Sequence, residues 1–329
     1  SVFVLIFFFV FGFSRARSSD LSSGPQPPVE LRCEYLSNPM GIDVKQPRFS
    51  WALEHTERGQ KQSAFELVVS TEPSAEKGDM WDSGKVASGY STQVLYSGAP
   101  LSSDKTYYWK VLTWDKDGAP SAFSNRARFD TGFFSASDWK AKWVGGKNQL
   151  RKEFTLKNKP VRARAYICGL GYYELRLNGK KVGSSVLDPG WTTYTKRALY
   201  ACHDVTGLLR PGENAIGVTL GKGWFGSPAL LFQLNIELEG GEKIIVVSDT
   251  SWKGTDGPVV EDSIYNGETY DARRETPGWD LPGFDQSAWS AAKEVKAPGE
   301  QLSAQMMPPI QIVDTIVPLK MTSPQPGVY

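Results

Sequence analysis

Apolar and polar residues alternate over short runs along most of the chain, and turn-forming residues separate these runs. Residues 48–53, 64–69 and 107–114 are rich in aromatic and β-branched side chains, and such runs are typical of half-buried strands with a side-chain period of two. Gly, Pro, Asn and Asp lie between them, where tight turns are needed. No stretch keeps a helical period over three turns. The pattern therefore predicts an all-β protein.

The first group of runs predicts a fibronectin-III-like or immunoglobulin-like sandwich over residues 29–135. Leu101 stands six residues before Tyr107, which is the spacing of the tyrosine corner in such sandwiches. Residues 115–118 then supply a turn before the next strand.

A second group of runs predicts an antiparallel sandwich over residues 138–300, of the jelly-roll type found in galactose-binding-like domains. Residues 173–177 alternate apolar and charged side chains and are followed by Asn178-Gly179, a strong signal for a two-residue hairpin. Further strands are expected at residues 214–220, 231–238 and 243–248. The fold class is thus two tandem antiparallel β-sandwiches.

The beginning of the chain resembles a targeting segment. Residues 2–13 are almost continuously apolar, which suits the core of a signal peptide better than the roughly 20 residues of a membrane span. We expect a truncated signal peptide over residues 1–17 and a linker over residues 18–28. The mature protein is then secreted or periplasmic, without a membrane span, and an uncleaved anchor is the alternative.

The end of the chain is expected to open a further domain. From Pro308 the sequence becomes rich in proline, and it stops at Tyr329 in what resembles an incipient strand. An unpaired strand edge of this kind promotes aggregation. Residues 305–329 are therefore predicted to start a third, truncated β-domain.

Composition excludes some classes of function. The formal net charge of the 329 residues is +1 and no run of Lys or Arg exceeds two, so a nucleic-acid partner is not expected. The chain has two histidines, too few for a histidine-rich metal site. Its three cysteines, Cys33, Cys168 and Cys202, are widely spaced. A Cys168–Cys202 disulfide is compatible with export, but buried free thiols are the preferred interpretation.

Short motifs follow one another in an order that resembles a known family. In the first domain they are Pro47-Arg48-Phe49-Ser50-Trp51, Arg58-Gly59-Gln60, Trp81-Asp82-Ser83-Gly84 and Tyr108-Trp109-Lys110-Val111. In the second they are Gly169-Leu170-Gly171-Tyr172-Tyr173-Glu174, Leu177-Asn178-Gly179, Asp188-Pro189-Gly190-Trp191-Thr192, Gly221-Lys222-Gly223-Trp224 and Tyr265-Asn266-Gly267-Glu268-Thr269-Tyr270-Asp271-Ala272-Arg273. The series resembles the N-terminal region of bacterial α-L-rhamnosidases of glycoside hydrolase family 78.

This resemblance implies an enzyme that hydrolyses terminal α-L-rhamnosides with inversion, in an (α/α) barrel further along the polypeptide. An inverting pair of acids stands roughly 6.5–9.5 Å apart, and the resemblance places neither acid on this chain. The implied partners are rhamnose-containing glycans or glycosides and the C-terminal catalytic domains of the same polypeptide. Two alternatives remain: a stand-alone secreted lectin or adhesion protein, and the N-terminal part of a β-galactosidase-like enzyme.

The resemblance also implies a carbohydrate-binding module in the second domain. Sugar binding needs an aromatic surface and polar groups that fix the hydroxyls. Asp188, Trp191, Tyr194 and Trp224 are the candidates for such a surface. The alternative is that Trp191 and Trp224 pack in the core of the sandwich.

Hard oxygen ligands for calcium are a further implication, although no cofactor is expected to be required. Asn178 and Asp188 are the main candidates, with Glu268 and Asp271 as additional acids; their spacing forms no compact calcium loop, so solvated turn acids are the alternative. Glu268 and Asp271 are also a candidate substrate-side pair. Arg273, close by, offers an ion-pair partner that would hold a carboxylate ionised.

Overall fold

A computed structural model describes residues 24–299 and 301–327. The predicted signal peptide at residues 1–17, most of the linker at residues 18–28 and the terminal Tyr329 lie outside the described residues.

The first domain contains eight strands in two sheets. The strands are β1 (Val29–Cys33), β2 (Arg48–Ala52), β3 (Ala64–Ser70), β4 (Trp81–Asp82), β5 (Val86–Ala87), β6 (Val94–Leu95), β7 (Thr106–Trp114) and β8 (Ala127–Asp130). One sheet has the order β1-β2-β6, and the other has the order β4-β3-β7-β8 with β5 paired to β3. All of these pairings are antiparallel.

Aromatic rings fill the space between these two sheets. Phe49 packs against Trp109 and Phe129, with ring centroids 4.6 and 5.7 Å apart. The Tyr107 hydroxyl accepts a hydrogen bond from the backbone N–H of Ser102 at 2.8 Å. This contact is the tyrosine corner that the sequence spacing predicts.

The second domain contains the remaining strands. They are β9 (Val144–Gly145), β10 (Gln149–Leu156), β11 (Pro160–Leu170), β12 (Tyr172–Leu177), β13 (Lys180–Lys181), β14 (Ala198–Asp204), β15 (Gly212–Gly221), β16 (Ala229–Leu238), β17 (Lys243–Val247), β18 (Lys253–Thr255), β19 (Val259–Ser263), β20 (Gly267–Tyr270), β21 (Ser290–Ala291), β22 (Lys293–Glu294) and β23 (Leu302–Ala304). Short 3-10 helices lie at Ala136–Asp138, Thr206–Leu208 and Ala272–Arg274.

Two large sheets form this second sandwich. A six-stranded sheet has the order β13-β12-β15-β10-β18-β21, and a seven-stranded sheet has the order β22-β9-β16-β11-β14-β23 with β17 paired to β16. Their inner faces enclose aliphatic side chains such as Leu175, Val218 and Ile167. Because strand side chains alternate between faces, the intervening residues form two outer faces. One meets the first domain, and the other lies beneath residues 258–281.

The domain junction uses the outer face of the seven-stranded sheet. There Arg164 of β11 donates to Asp130 at the end of β8, with nitrogen to oxygen distances of 3.2 and 3.0 Å. Arg162 donates to Asp104 at 2.8 Å. Asp104 also accepts from the Asn235 amide at 2.7 Å. Each carboxylate therefore has charged or polar donors from the second domain. On Asp130 these donors reach Oδ1, and the buried Oδ2 has no hydrogen-bond partner.

Aromatic and glycine residues complete the junction. Phe133, which follows β8, packs against Tyr166 with ring centroids 4.2 Å apart. The Tyr200 hydroxyl accepts a hydrogen bond from the Phe133 N–H at 3.1 Å. Gly41 has a φ of +76°, and a Cβ there would lie 2.4 Å from the Cβ of Cys202. The first domain thus packs directly against the seven-stranded sheet of the second domain.

The second sandwich extends beyond the predicted end at residue 300. Strand β23 adds to the sheet edge in parallel with β14, and Gln311 forms a bridge with Ser185. Residues 312–327 are exposed and contain no strand. Residues 302–311 therefore contact the second domain, and the start of a third domain at residue 305 stays a prediction.

The predicted fold class is confirmed: of the residues that the structure describes, about 42% lie in strands and 3% in helices. The predicted strand runs correspond to β2, β3, β7, β12, β15, β16 and β17. The sequence pattern did not identify β11 and β14, the two strands that carry the junction. Cys33, Cys168 and Cys202 are free thiols, as preferred. Within residues 24–299 and 301–327, no helix has the length and apolar character needed to cross a membrane.

Candidate functional site

Three aromatic side chains form a surface where β12 begins and β15 ends. Trp191 and Trp224 lie edge to face with ring centroids 5.0 Å apart, and Trp224 stacks on Tyr265 at 6.0 Å. Trp191 and Trp224 are 49% and 47% exposed, and Tyr265 is 83% exposed. They are therefore not core residues. Contiguous exposed rings mark an interaction surface, and we name these three residues the aromatic platform.

Backbone hydrogen bonds hold the loop that carries Trp224. The carboxylate of Asp262, on β19, accepts from the backbone N–H groups of Lys222 and Gly223 at 2.6 and 3.3 Å. The turn between β19 and β20 carries Tyr265. The β19–β20 hairpin thus fixes the Trp224 loop and supplies the ring that stacks on it.

Tyr194 supports the platform from below and is not part of its surface. It is buried, and its hydroxyl accepts the Gly171 N–H at 3.0 Å. Its ring packs edge to face against Phe225 at 5.1 Å and lies 6.3 Å from Trp191. The structure therefore corrects the expectation that Tyr194 lies on the surface: with its hydroxyl turned toward the backbone, it orients the platform rings.

Asp188 is also buried, and it belongs to a hydrogen-bonded chain. Its carboxylate accepts from the Tyr173 hydroxyl at 2.7 Å and from the Gln305 amide at 2.9 Å. The Tyr173 oxygen lies 2.9 Å from Nε2 of His203. Because Tyr173 gives its one proton to Asp188, His203 donates from Nε2. Asp188 is therefore occupied inside the domain, which contradicts its predicted place on a sugar-binding surface.

Gln305 ties the C-terminal segment to the loop that precedes Trp191. Its amide oxygen accepts the Gly190 N–H at 2.8 Å, while its amide nitrogen donates to Asp188 at 2.9 Å. One side chain thus fixes two residues of the Asp188–Trp191 loop.

Asn178 and Asp188 cannot ligate one calcium ion. Asn178 follows β12, and its side chain donates to Leu208 and Asn214 and accepts from the Ala215 N–H. Asp188 lies beside the start of the same strand. Along β12, the position beside Asp188 and the position of Asn178 are separated by about 16 Å, at roughly 3.3 Å per residue. Among the described residues, no group of three or more His, Cys, Asp or Glu side chains is arranged to hold a metal ion.

Glu268 and Asp271 have different environments. Glu268 is exposed on β20 and lines the cavities along the outer face of the six-stranded sheet. Asp271 accepts from Nε and Nη2 of Arg273 at 2.7 and 2.8 Å. Hydrogen bonding from Arg273 lowers the pKa of the Asp271 carboxyl. The contact with Arg273 thus favours the ionised form of Asp271, as the sequence indicated.

The sequence pattern did not indicate Tyr265, Phe225, Gln149 or Thr276 as site residues. Tyr265 precedes Asn266-Gly267, a turn signal, so its exposed position at a hairpin tip was detectable. Gln149 and Thr276 are brought together by a long loop that returns over the sheet, and no local pattern encodes that contact.

Two family models match the chain. Residues 28–135 match the Rha78A-like N-terminal immunoglobulin domain. Residues 158–314 match the alpha-L-rhamnosidase N-terminal domain. Each of the two sandwiches is thus similar to a domain from the N-terminal region of rhamnosidases.

Curated relatives give the same result over part of their length. An alpha-L-rhamnosidase of Formosa agariphila is 35% identical, over 84% of this chain and 34% of the relative. One from Streptomyces avermitilis is 27% identical, over 90% of this chain and 47% of the relative. The chain spans between a third and a half of the length of these relatives.

Solved structures are similar over almost the whole chain. The alpha-L-rhamnosidase from Dictyoglumus thermophilum superposes with a TM-score of 0.89 at 42% identity, over 93% of this chain and 38% of that protein. The Streptomyces avermitilis alpha-L-rhamnosidase, solved with L-rhamnose, has a TM-score of 0.88 at 26% identity, over 92% of this chain and 48% of that protein.

The buried histidine predicts a pH-dependent stability. Burial lowers the pKa of His203 from its usual 6.5, against the opposing effect of Asp188. Below pH 6.5 the unfolded chain takes up a proton that the folded chain resists, so the free energy of unfolding should fall as the pH decreases. Urea unfolding at pH 7.5, 6.5 and 5.5 measures this, and His203→Gln should reduce the dependence. His55→Gln, which leaves the chain of Tyr173 and Asp188 intact, is the control. Equal pH dependence in His203→Gln and the unmodified protein would contradict the assignment.

Proposed function

We propose that this chain is part of an enzyme that removes terminal α-L-rhamnosyl units with inversion, because the chain belongs to the α-L-rhamnosidase family and corresponds to the non-catalytic N-terminal region of its members. In that enzyme the two sandwiches form a scaffold, and the aromatic platform holds the rhamnoside substrate. The exposed platform is the observation that carries the binding role.

The chemistry of the platform suits a deoxy sugar. Aromatic faces attract the C–H groups and the methyl group of a pyranose, and the release of water from these apolar surfaces favours contact. Tyr194 and Phe225 hold the rings from below, and Asp262 fixes the loop of Trp224. A surface that is already ordered loses little entropy on binding.

Secretion is the second part of the proposal. The apolar residues 2–13 act as a signal peptide, and the enzyme works outside the cytoplasm or in the periplasm on rhamnose-containing glycans. Calcium remains a candidate cofactor of the second domain through ligands other than an Asn178–Asp188 pair, and the binding experiment below includes it.

The isolated chain should release no rhamnose from an aryl α-L-rhamnoside. Hydrolysis with inversion requires a general acid and a general base, and the contact with Arg273 favours the ionised form of Asp271. The assay follows release of the aryl alcohol, with Glu268→Gln as the paired variant. Turnover that persists after repeated purification and disappears in Glu268→Gln would place catalysis on this chain and contradict the proposal.

The platform should bind L-rhamnose weakly. One small sugar offers few atoms, so we expect a dissociation constant in the millimolar to high-micromolar range, about 4–6 kcal/mol. Replacing Trp191 and Trp224 together by Ala should weaken binding at least about tenfold, the equivalent of about 1.4 kcal/mol. Calorimetric titration with and without calcium measures this affinity.

Stability of the same variants separates a surface role from a core role. Trp191 and Trp224 are half exposed, so their loss should cost less than the roughly 3–5 kcal/mol of a core Trp→Ala change. Tyr90→Ala removes an exposed ring of the first domain and should leave binding unchanged. Binding that survives in the double Ala variant, or that is absent in all conditions, would reject the platform as a rhamnose site.

A further inference from the structure

A row of polar side chains crosses the outer face of the six-stranded sheet. Glu174 of β12 pairs with Thr219 of β15, and Thr219 lies opposite Gln149 of β10 in the same register. Directly paired residues point to the same side of a sheet. The three side chains therefore form one polar strip on the face opposite the aliphatic core.

Residues 275–281 cover this strip and leave a groove. Arg151 is fully buried and donates to the backbone carbonyls of Trp279 and Leu281 at 2.8 and 2.9 Å. At Gly217 a Cβ would lie 2.8 Å from the Trp279 ring and 2.9 Å from the Cβ of Asp280, so glycine lets the loop lie close to the sheet. The remaining space is about 600 Å³.

Two polar atoms on the groove wall lack hydrogen-bond partners. Gln149 is 4% exposed, and its amide oxygen has no partner; the Thr276 hydroxyl is also buried and has none. Unpaired buried polar groups destabilise a protein by about 1–3 kcal/mol each. An unpaired buried polar group at the wall of a groove can take its missing bond from a molecule in the groove, such as water or a ligand. Rotation of the Gln149 amide about its terminal torsion brings either its oxygen or its nitrogen toward the groove.

The charges of the groove disfavour an anionic ligand. Its lining contains four carboxylates and one guanidinium, which are Glu174, Glu268, Glu275, Asp280 and Arg176. Arg176 pairs with Asp280 at 2.6 Å and with Glu174 at 3.3 Å, and the Tyr270 hydroxyl donates to Glu275 at 2.7 Å. The excess of carboxylates repels anions. Within the described residues, no set of side chains is arranged for a metal ion.

We propose that this groove is a second carbohydrate subsite, which binds a neutral glycosyl unit through Gln149, Thr276 and Glu268. Amide, hydroxyl and carboxylate groups match the donors and acceptors of vicinal sugar hydroxyls, and Trp279 and Tyr270 bring aromatic rings to the groove. A neighbouring cavity of about 370 Å³ shares Glu174, Thr219, Val259 and Glu268 with it and continues to the Trp224 loop through Gly223. A longer glycan can therefore follow the outer face from the groove toward the aromatic platform.

The test uses the full 329-residue chain with Trp191 and Trp224 both replaced by Ala, so that the platform does not contribute. Nitrogen-15 NMR spectra are recorded during titration with methyl α-L-rhamnoside, methyl α-D-glucoside and D-glucuronate. The Trp279 indole N–H and the Thr276 amide should shift saturably with at least one neutral glycoside. Glucuronate should bind at least tenfold more weakly.

Further variants locate the binding groups in the groove. Gln149→Leu and Thr276→Val should each weaken binding of the neutral glycoside at least tenfold without lowering the melting temperature, since each removes an unpartnered group. Thr155→Val, an exposed strand threonine outside the groove, should change neither property. An absent Trp279 shift with both glycosides, unchanged affinity in Thr276→Val, or preference for glucuronate would each overturn the proposal. None of these outcomes depends on rhamnose binding at the platform.

Discussion

Asp130 and Arg164 form an ion pair across the junction of the two sandwiches, 3.0 Å apart, with side chains only 1% and 4% exposed. Arg164 also contacts Asp204 at 2.9 Å, and Asp130 accepts from the Thr106 hydroxyl at 2.5 Å. Two charges are buried at low cost only when their geometry and hydrogen bonds are good. Separation of the domains would leave these groups without each other, so the contact favours one fixed arrangement. The position of every candidate binding surface relative to the first domain follows from it.

The same contact explains why the sequence pattern identified some strands and missed β11. Strands β3, β7, β12 and β16 were predictable because local alternation and turn residues specify them. The outer side of β11 carries Arg162 and Arg164 in one half and Tyr166, Cys168 and Leu170 in the other. The charged half receives the carboxylates of the first domain, and Tyr166 in the apolar half packs against Phe133. Such a strand matches neither an exposed nor a buried pattern, since its environment is created by a different domain.

The candidate site divides in a similar way. The sequence indicated Trp191 and Trp224, and both are exposed in one cluster. It also indicated Asp188 and Tyr194, which are buried. These two were predicted as surface residues because, in sequence alone, a polar residue near an aromatic motif resembles a ligand-binding group. The groove containing Gln149 was beyond local patterns, because residues more than 100 positions apart form it.

The positions of the platform and the groove relative to the first domain depend most on the two sandwiches behaving as one rigid body. Nitrogen-15 relaxation of the backbone amides of residues 29–130 and 144–304 measures the rotational correlation time of each domain. A single shared correlation time, appropriate to the mass of the whole chain, is predicted for the unmodified protein, because the Asp130–Arg164 contact allows no independent rotation. Two shorter and unequal correlation times would contradict it, since they would mean that the domains tumble separately.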